Sequence, residues 1–227
     1  MFCDDLKKLL PLYQNTGYAE NTHIVHETSD DSKVKEVIWI NSDFQFFDTN
    51  IVKDLTGFFS KARCTEDASI FSLDCDGAFL VQGDKHKYLF LNELKSTFDS
   101  RDIYHASNQI VSTYIKLNMI LNLLPNYQKQ DVKVKGFIFS RPANKKYLRD
   151  LYRESIGKKY KYTTESQLIL DLCYNNKQQK VIIKFSQCHK LKDIGLGDNA
   201  LFDELELYHI DVEEPNTSIT MDTSKFL

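Results

Sequence analysis

The chain has 227 residues, 42% hydrophobic and 12% aromatic, with only 8 Gly and 4 Pro. This composition supports a sizeable core and excludes a fibrous or intrinsically disordered chain. The formal net charge of −3 does not by itself mark a nucleic-acid binder. The distribution of charge is more informative. Residues 129–161 hold eleven Lys/Arg against three Asp/Glu, whereas residues 193–224 hold nine Asp/Glu and no Lys or Arg. That asymmetry suggests a basic working surface beside an acidic segment.

The five cysteines, Cys3, Cys64, Cys75, Cys173 and Cys188, are odd in number and contain no CxxC pair. They read as reduced intracellular thiols, and Cys188-His189 reads as a chance neighbour pair. Asp4, Asp5, Lys7 and Lys8 interrupt any leader-like apolar run. No stretch approaches the roughly 20 apolar residues that span a bilayer. A soluble, cytoplasmic, single-domain protein over 1–227 is the expectation.

In chain order, Asp4–Leu10 is expected to be a short helix ended by Pro11. Asn15–Lys33 is polar and reads as loop. Val34–Ile40 is β-branched and reads as a strand. Asp48 or Thr49 caps a helix over Asn50–Ala62, with Ile51, Leu55, Phe58 and Phe59 on one face. Two strands follow within Ile70–Thr97, joined by the polar loop Gln82–Lys87. Asp99 or Ser100 caps a long helix, Arg101–Leu124, with an apolar stripe from Ile103 to Leu124. Val132–Ser140 is a strand, and Pro142 suits the first turn of a helix. Ser166–Tyr174 reads as a short apolar helix and Val181–Ser186 as the last central strand. Glu204–Val212 fits strand or helix, and Glu213–Leu227 reads as a polar, mobile tail.

The paired strands carry the chemistry. Asp74, Asp76, Glu93 and Lys95 interrupt otherwise apolar runs, and charge inside a core strand is costly unless paired or bound to metal. A symmetric loop sets Asp76 opposite Glu93 and Asp74 opposite Lys95. Directly opposed Cβ atoms lie about 4.5–5.5 Å apart. Alternation puts Asp76 on the face of Ala78 and Leu80, and Glu93 on that of Leu89 and Leu91. Two carboxylates this close repel unless a cation lies between them, and a hard divalent ion takes carboxylate oxygens. A slip of one residue would dissolve the arrangement. A solvated strand face with one cross-strand ion pair is the structural alternative.

Asp76 followed by Glu93-Leu94-Lys95 resembles the PD-(D/E)xK nuclease superfamily, which includes many restriction endonucleases. The likeness covers roughly residues 50–140, and the proline that often precedes the Asp is replaced by Cys75. It implies an α/β (α+β) fold: a restriction-endonuclease-like core, a mixed central β-sheet flanked by helices. It implies Mg2+ or Mn2+ held by Asp76 and Glu93, with Asp74 as a rival ligand, and Lys95 activating the attacking water. It also implies a supporting glutamine, for which Gln109 is suitably spaced, and an extra acidic residue, for which Glu66 is the candidate.

Beyond the core, Arg141, Lys145, Lys146, Arg149, Arg153, Lys158, Lys159 and Lys161 are interleaved with Tyr147, Tyr152, Tyr160 and Tyr162. Lysine and arginine neutralise phosphates, and tyrosine can stack on bases. The expected function is a Mg-dependent endodeoxyribonuclease of a bacterial or phage restriction or defence system. Cutting both strands of a duplex would usually need two active sites, hence a homodimer. An RNase of the same fold and a non-catalytic nucleic-acid- or protein-binding regulator are the alternatives.

Overall fold

The computed structural model describes residues 2–62, 71–157, 164–175, 179–184, 188, 196–200 and 203–227. In chain order these form α1 (Phe2–Leu9), β1 (Gly17–His26), β2 (Glu36–Phe46), α2 (Thr49–Ala62), β3 (Gly77–Gln82), β4 (Lys87–Leu94), α3 (Ser100–Leu121) and β5 (Val132–Ser140). They continue with α4 (Lys145–Gly157), α5 (Thr164–Cys173), β6 (Lys180–Lys184), β7 (Glu204–Asp211) and β8 (Ser218–Asp222). The strands make one mixed eight-stranded sheet, ordered β1-β2-β3-β4-β5-β7-β6, with β8 beside β2. The fold class is therefore α/β with a mixed sheet.

The β3–β4 pair is antiparallel, with Gly77 opposite Asn92 and Gln82 opposite Lys87. This is the register expected from the symmetric loop. β4 pairs in parallel with β5, and β5 in parallel with β7. The centre of the sheet is apolar on both faces, as a strand buried on two sides requires. One face presents Ala78, Leu80, Leu89, Leu91 and Ile138 to a core that also takes Leu6, Ile51, Ile110, Leu148 and Ile169. Each of α1 to α5 thus contributes to that layer.

The other face presents Phe79, Phe90, Phe137 and Phe139, gathered round Trp39 of β2. Adjacent strands lie about 4.8 Å apart, so β2 and β5 would stand about 14 Å apart in a flat sheet. The Trp39 and Phe137 ring centroids are 4.8 Å apart, so β2 folds back over the face. The bend has a local cause. The β1–β2 register shifts between Glu20 and Thr22, and Asn21 and Asn41 both adopt left-handed backbone (φ 61 and 67). Asparagine tolerates that region, and a bulge bends and twists the strand that carries it. Beyond the bend, Glu36–Ile40 pairs with Ser218–Asp222.

Several expectations change. Asn15–Lys33 contains β1, an edge strand with only Gly17 and Val25 buried, which leaves almost no apolar period to detect. Val181–Ser186 is not central: β6 lies at the sheet edge, beyond β7. Glu204–Val212 resolves as strand. Glu213–Leu227 is not a tail, because β8 joins β2 and Phe226 packs on Trp39 and Phe137. The first motif strand starts at Gly77, and the six residues before it are irregular apart from a 3-10 turn at Phe71–Ser72. Pro142 precedes α4, whose cap is Asn144, with its Oδ1 accepting from the Lys146 and Tyr147 N–H groups.

Candidate active site

Asp76 stands one residue before β3, in the register that faces Glu93. Its Oδ2 accepts from the Leu94 N–H at 2.7 Å, which fixes it across the hairpin. Glu93 lies near the end of β4 and is 2% exposed. Lys95 is one residue past β4, where its N–H donates to the Phe139 carbonyl at 2.7 Å and so extends the parallel ladder. Lys95 Nζ reaches Glu93 Oε1 at 2.6 Å and donates to Gln109 Oε1 at 2.9 Å. Gln109 Nε2 in turn donates to the Asp74 carbonyl at 2.8 Å. Thus Asp76, Glu93, Lys95 and Gln109 converge. Asp74 contributes a backbone carbonyl to this chain of hydrogen bonds, and the residue also lines the adjoining pocket.

Electrostatically the cluster is short of positive charge. Burial pushes Asp76 up to about 7, against the hydrogen bond from Leu94 and with Glu27 adding to the rise. Burial and then the charge of Asp76 hold Glu93 well above its ordinary range, and Lys95 offsets this only in part. Glu93 Oε1 has its lysine, but among the described residues Glu93 Oε2 is buried with no hydrogen-bond partner. An orphaned buried carboxylate oxygen is expensive. This oxygen and Asp76 form a hard, anionic oxygen donor set of the kind that suits Mg2+ or Mn2+. Among the described residues, no group of three His, Cys, Asp or Glu side chains is arranged to hold an ion alone. An ion held by Asp76 and Glu93 would complete its coordination with water.

A pocket of about 400 Å3 opens beside the cluster, walled by Asp74, Asp76 and Gln109, by His26 and Thr28 at the end of β1, and by Lys53 of α2. Glu27 lies between His26 and Thr28. Its N–H donates to the Lys35 carbonyl at 2.9 Å, continuing the β1–β2 ladder. Its charge raises both Asp76 and Glu93. Sequence reasoning missed Glu27 because it falls in the stretch read as loop. The expected extra acid, Glu66, lies outside the described residues, as do Asp67 and Cys64. Burial, with the charge of Glu93, pushes the Cys75 thiol up to about 12, which disfavours the thiolate.

The basic stretch divides. Arg141 faces inward: its Nη1 donates to the Val212 and Asn216 carbonyls at 2.9 and 2.7 Å, and its Nη2 to that of Lys33 at 3.2 Å. With its side chain 12% exposed, Arg141 ties chain segments together, which leaves little of its guanidinium for the phosphate contact expected of it. Lys145, Lys146, Arg149 and Arg153 are exposed along α4. Lys158, Lys159 and Lys161 lie outside the described residues, with Tyr160 and Tyr162. Lys135, also in the basic stretch, is buried and bound to Glu206 at 2.9 Å.

A second polar cluster has the composition of a hydrolytic triad. Ser140 Oγ lies 2.8 Å from His209 Nε2, and His209 Nδ1 lies 3.5 Å from Asp211 Oδ1. Ser140 and His209 are fully buried, so no substrate reaches the hydroxyl. Burial also holds His209 down at about 4, which disfavours the imidazolium that such chemistry needs.

Among the described residues no helix is long and apolar enough to cross a membrane. Comparison with protein-family models, with curated proteins and with solved structures finds no match.

Proposed function

We propose that this chain is a metal-dependent nuclease that hydrolyses phosphodiester bonds, with Asp76 and Glu93 as the carboxylates for Mg2+ or Mn2+. The observation that carries the reading is Glu93: a buried carboxylate with one oxygen on Lys95 and the other without a hydrogen-bond partner among the described residues. A divalent cation bound there would supply Lewis acidity at the phosphoryl group and a more acidic water.

The remaining work falls to the chain. Asp76, locked by the Leu94 N–H, keeps a fixed position across the hairpin. Lys95, held between Glu93 and Gln109, presents its ammonium to the water that attacks phosphorus and to the charge that develops there. Gln109 fixes that ammonium and is itself fixed by the Asp74 carbonyl. The order helix, antiparallel hairpin, helix, parallel strand (α2, β3–β4, α3, β5) supports a restriction-endonuclease-like core. Exposed Lys145, Lys146, Arg149 and Arg153 supply phosphate-neutralising charge on α4. DNA is the substrate favoured by the family resemblance, and a bacterial or phage restriction or defence role goes with it. Cutting both strands of a duplex would call for two copies of the site, hence a homodimer.

The test is incubation with plasmid DNA, single-stranded DNA and RNA in Mg2+ or Mn2+. Wild type is expected to cleave, Asp76→Ala and Glu93→Ala to be inactive, and Lys95→Ala to lose about 10²-fold or more. Cleavage that survives all three substitutions sinks the site. Binding without cleavage of any substrate would favour a non-catalytic binding protein on this fold.

A further inference from the structure

The first carboxylate is delivered by an irregular segment, Phe71–Asp76, whose backbone polar groups need partners from elsewhere. One side of α3 supplies them. Gln109 Nε2 donates to the Asp74 carbonyl and Ser112 Oγ to the Leu73 carbonyl, both at 2.8 Å. Thr113 Oγ1 accepts from the Cys75 N–H at 2.9 Å. Lys116 Nζ donates to the Leu73 carbonyl, to the Phe71 carbonyl at 3.4 Å, and to Thr56 Oγ1 of α2. Positions 109, 112, 113 and 116 share one helical face.

Lys116 is the costly member of this set. It is 0% exposed, and an isolated buried ammonium is far more expensive than an apolar side chain of similar length. Burial lowers its affinity for a proton, and the charge of Asp74 acts in the opposite direction. Among the described residues, Asp76, Glu93 and Glu27 meet Lys95, with Lys53 also on the pocket wall, and a divalent cation would offset the excess negative charge at the carboxylates.

We infer that Lys116 is a positioning residue for the cation site: its hydrogen bonds pin the Phe71–Asp76 segment to α3, so that Asp76 rather than Asp74 serves the cation. The inference rests on the nuclease reading above, in that it presumes a cation at Asp76 and Glu93.

The experiment is Mn2+ titration by calorimetry on the intact chain, with melting temperature and amide hydrogen exchange measured in parallel. Wild type should bind, Asp76→Asn and Glu93→Gln should not, and Asp74→Asn should bind like wild type. Lys116→Met should keep a cooperative melt yet lose about tenfold or more in Mn2+ affinity, with faster exchange at the Cys75 amide. If Lys116→Met fails to fold, the pair Ser112→Ala with Thr113→Val loosens the same segment with the charge retained. It should weaken Mn2+ in the same direction. Affinity within twofold of wild type in the variants that fold overturns the inference alone, as does loss of binding in Asp74→Asn. Absence of Mn2+ binding by wild type overturns the nuclease reading and this inference with it.

Discussion

Two glutamates on the same sheet, Glu93 and Glu206, meet lysines in different ways. Glu206 Oε2 has Lys135 at 2.9 Å, Lys180 at 3.4 Å and the Tyr208 hydroxyl as a donor. These partners outweigh its partial burial and hold its carboxyl below the ordinary range. Glu93 has one lysine, a neighbouring aspartate and an unpartnered oxygen, and its carboxyl is held above that range. A saturated ion cluster is a structural joint. A buried carboxylate short of cations is destabilised until something positive arrives, and this separates a candidate site from a fastening.

The comparison breaks most visibly in activity. Lys95→Ala should reduce cleavage by about 10²-fold or more and Glu93→Ala should abolish it, whereas Glu206→Gln should leave it unchanged in a plasmid assay. Equal losses from the two glutamates would erase the distinction. The next effect is on stability. Glu206→Gln leaves Lys135 short of its carboxylate and should cost about 1–2 kcal/mol, given that Glu206 is a third exposed. That is a fall of several degrees in melting temperature. Asp76→Asn, by contrast, should stabilise the metal-free protein at pH 8 by about 1 kcal/mol after solvent screening, seen as a raised melting temperature.

The pH dependence sharpens the same contrast. Asp76 and Glu93 bind protons more tightly folded than unfolded. Their contributions therefore favour the fold at low pH, and that of Asp76 is lost as pH rises through about 7. Glu206 has the opposite sign, its contribution being lost as pH falls through its lowered pKa. Half-buried His23 and buried His209, both held down at about 4 by desolvation, likewise withdraw stability as pH falls below their ordinary range. The readout is therefore the difference between wild type and Asp76→Asn in metal-free denaturation. It should be present at pH 8, shrink toward pH 5, and vanish when Mn2+-free wild type is fully protonated at the site. The smallest expected effect is on α4. Lys145→Ala with Lys146→Ala should weaken DNA binding uniformly across sequences, and the salt slope should fall by about 1 for each phosphate no longer neutralised.

The sequence made the hairpin legible because its signals are local: two apolar runs, a polar loop, and charges whose parity puts Asp76 and Glu93 opposite one another. The long helix was legible from its cap and stripe, and Asp99 does cap it. What failed depends on partners far along the chain. β1 and β8 have few buried side chains and exist because β2 offers them a backbone ladder. Lys116 lies away from the apolar stripe of α3, on a side that is buried only because α2 and Phe71–Asp76 cover it. Arg141 sits in a basic run, yet three distant carbonyls claim it. Charge density along a chain says little about which charges a fold will consume.

The chain contains a single tryptophan, and its surroundings make it an optical reporter. The Trp39 indole N–H donates to Asn92 Oδ1 at 3.0 Å, and Asn92 immediately precedes Glu93 in β4. The fluorophore thus lies on the aromatic side of the sheet, hydrogen-bonded to the strand that carries the buried carboxylate on the other side. Its emission should follow events at Glu93 without a label, so that one cuvette measurement reads both the integrity of the folded-over strand and the occupancy of the site beneath it.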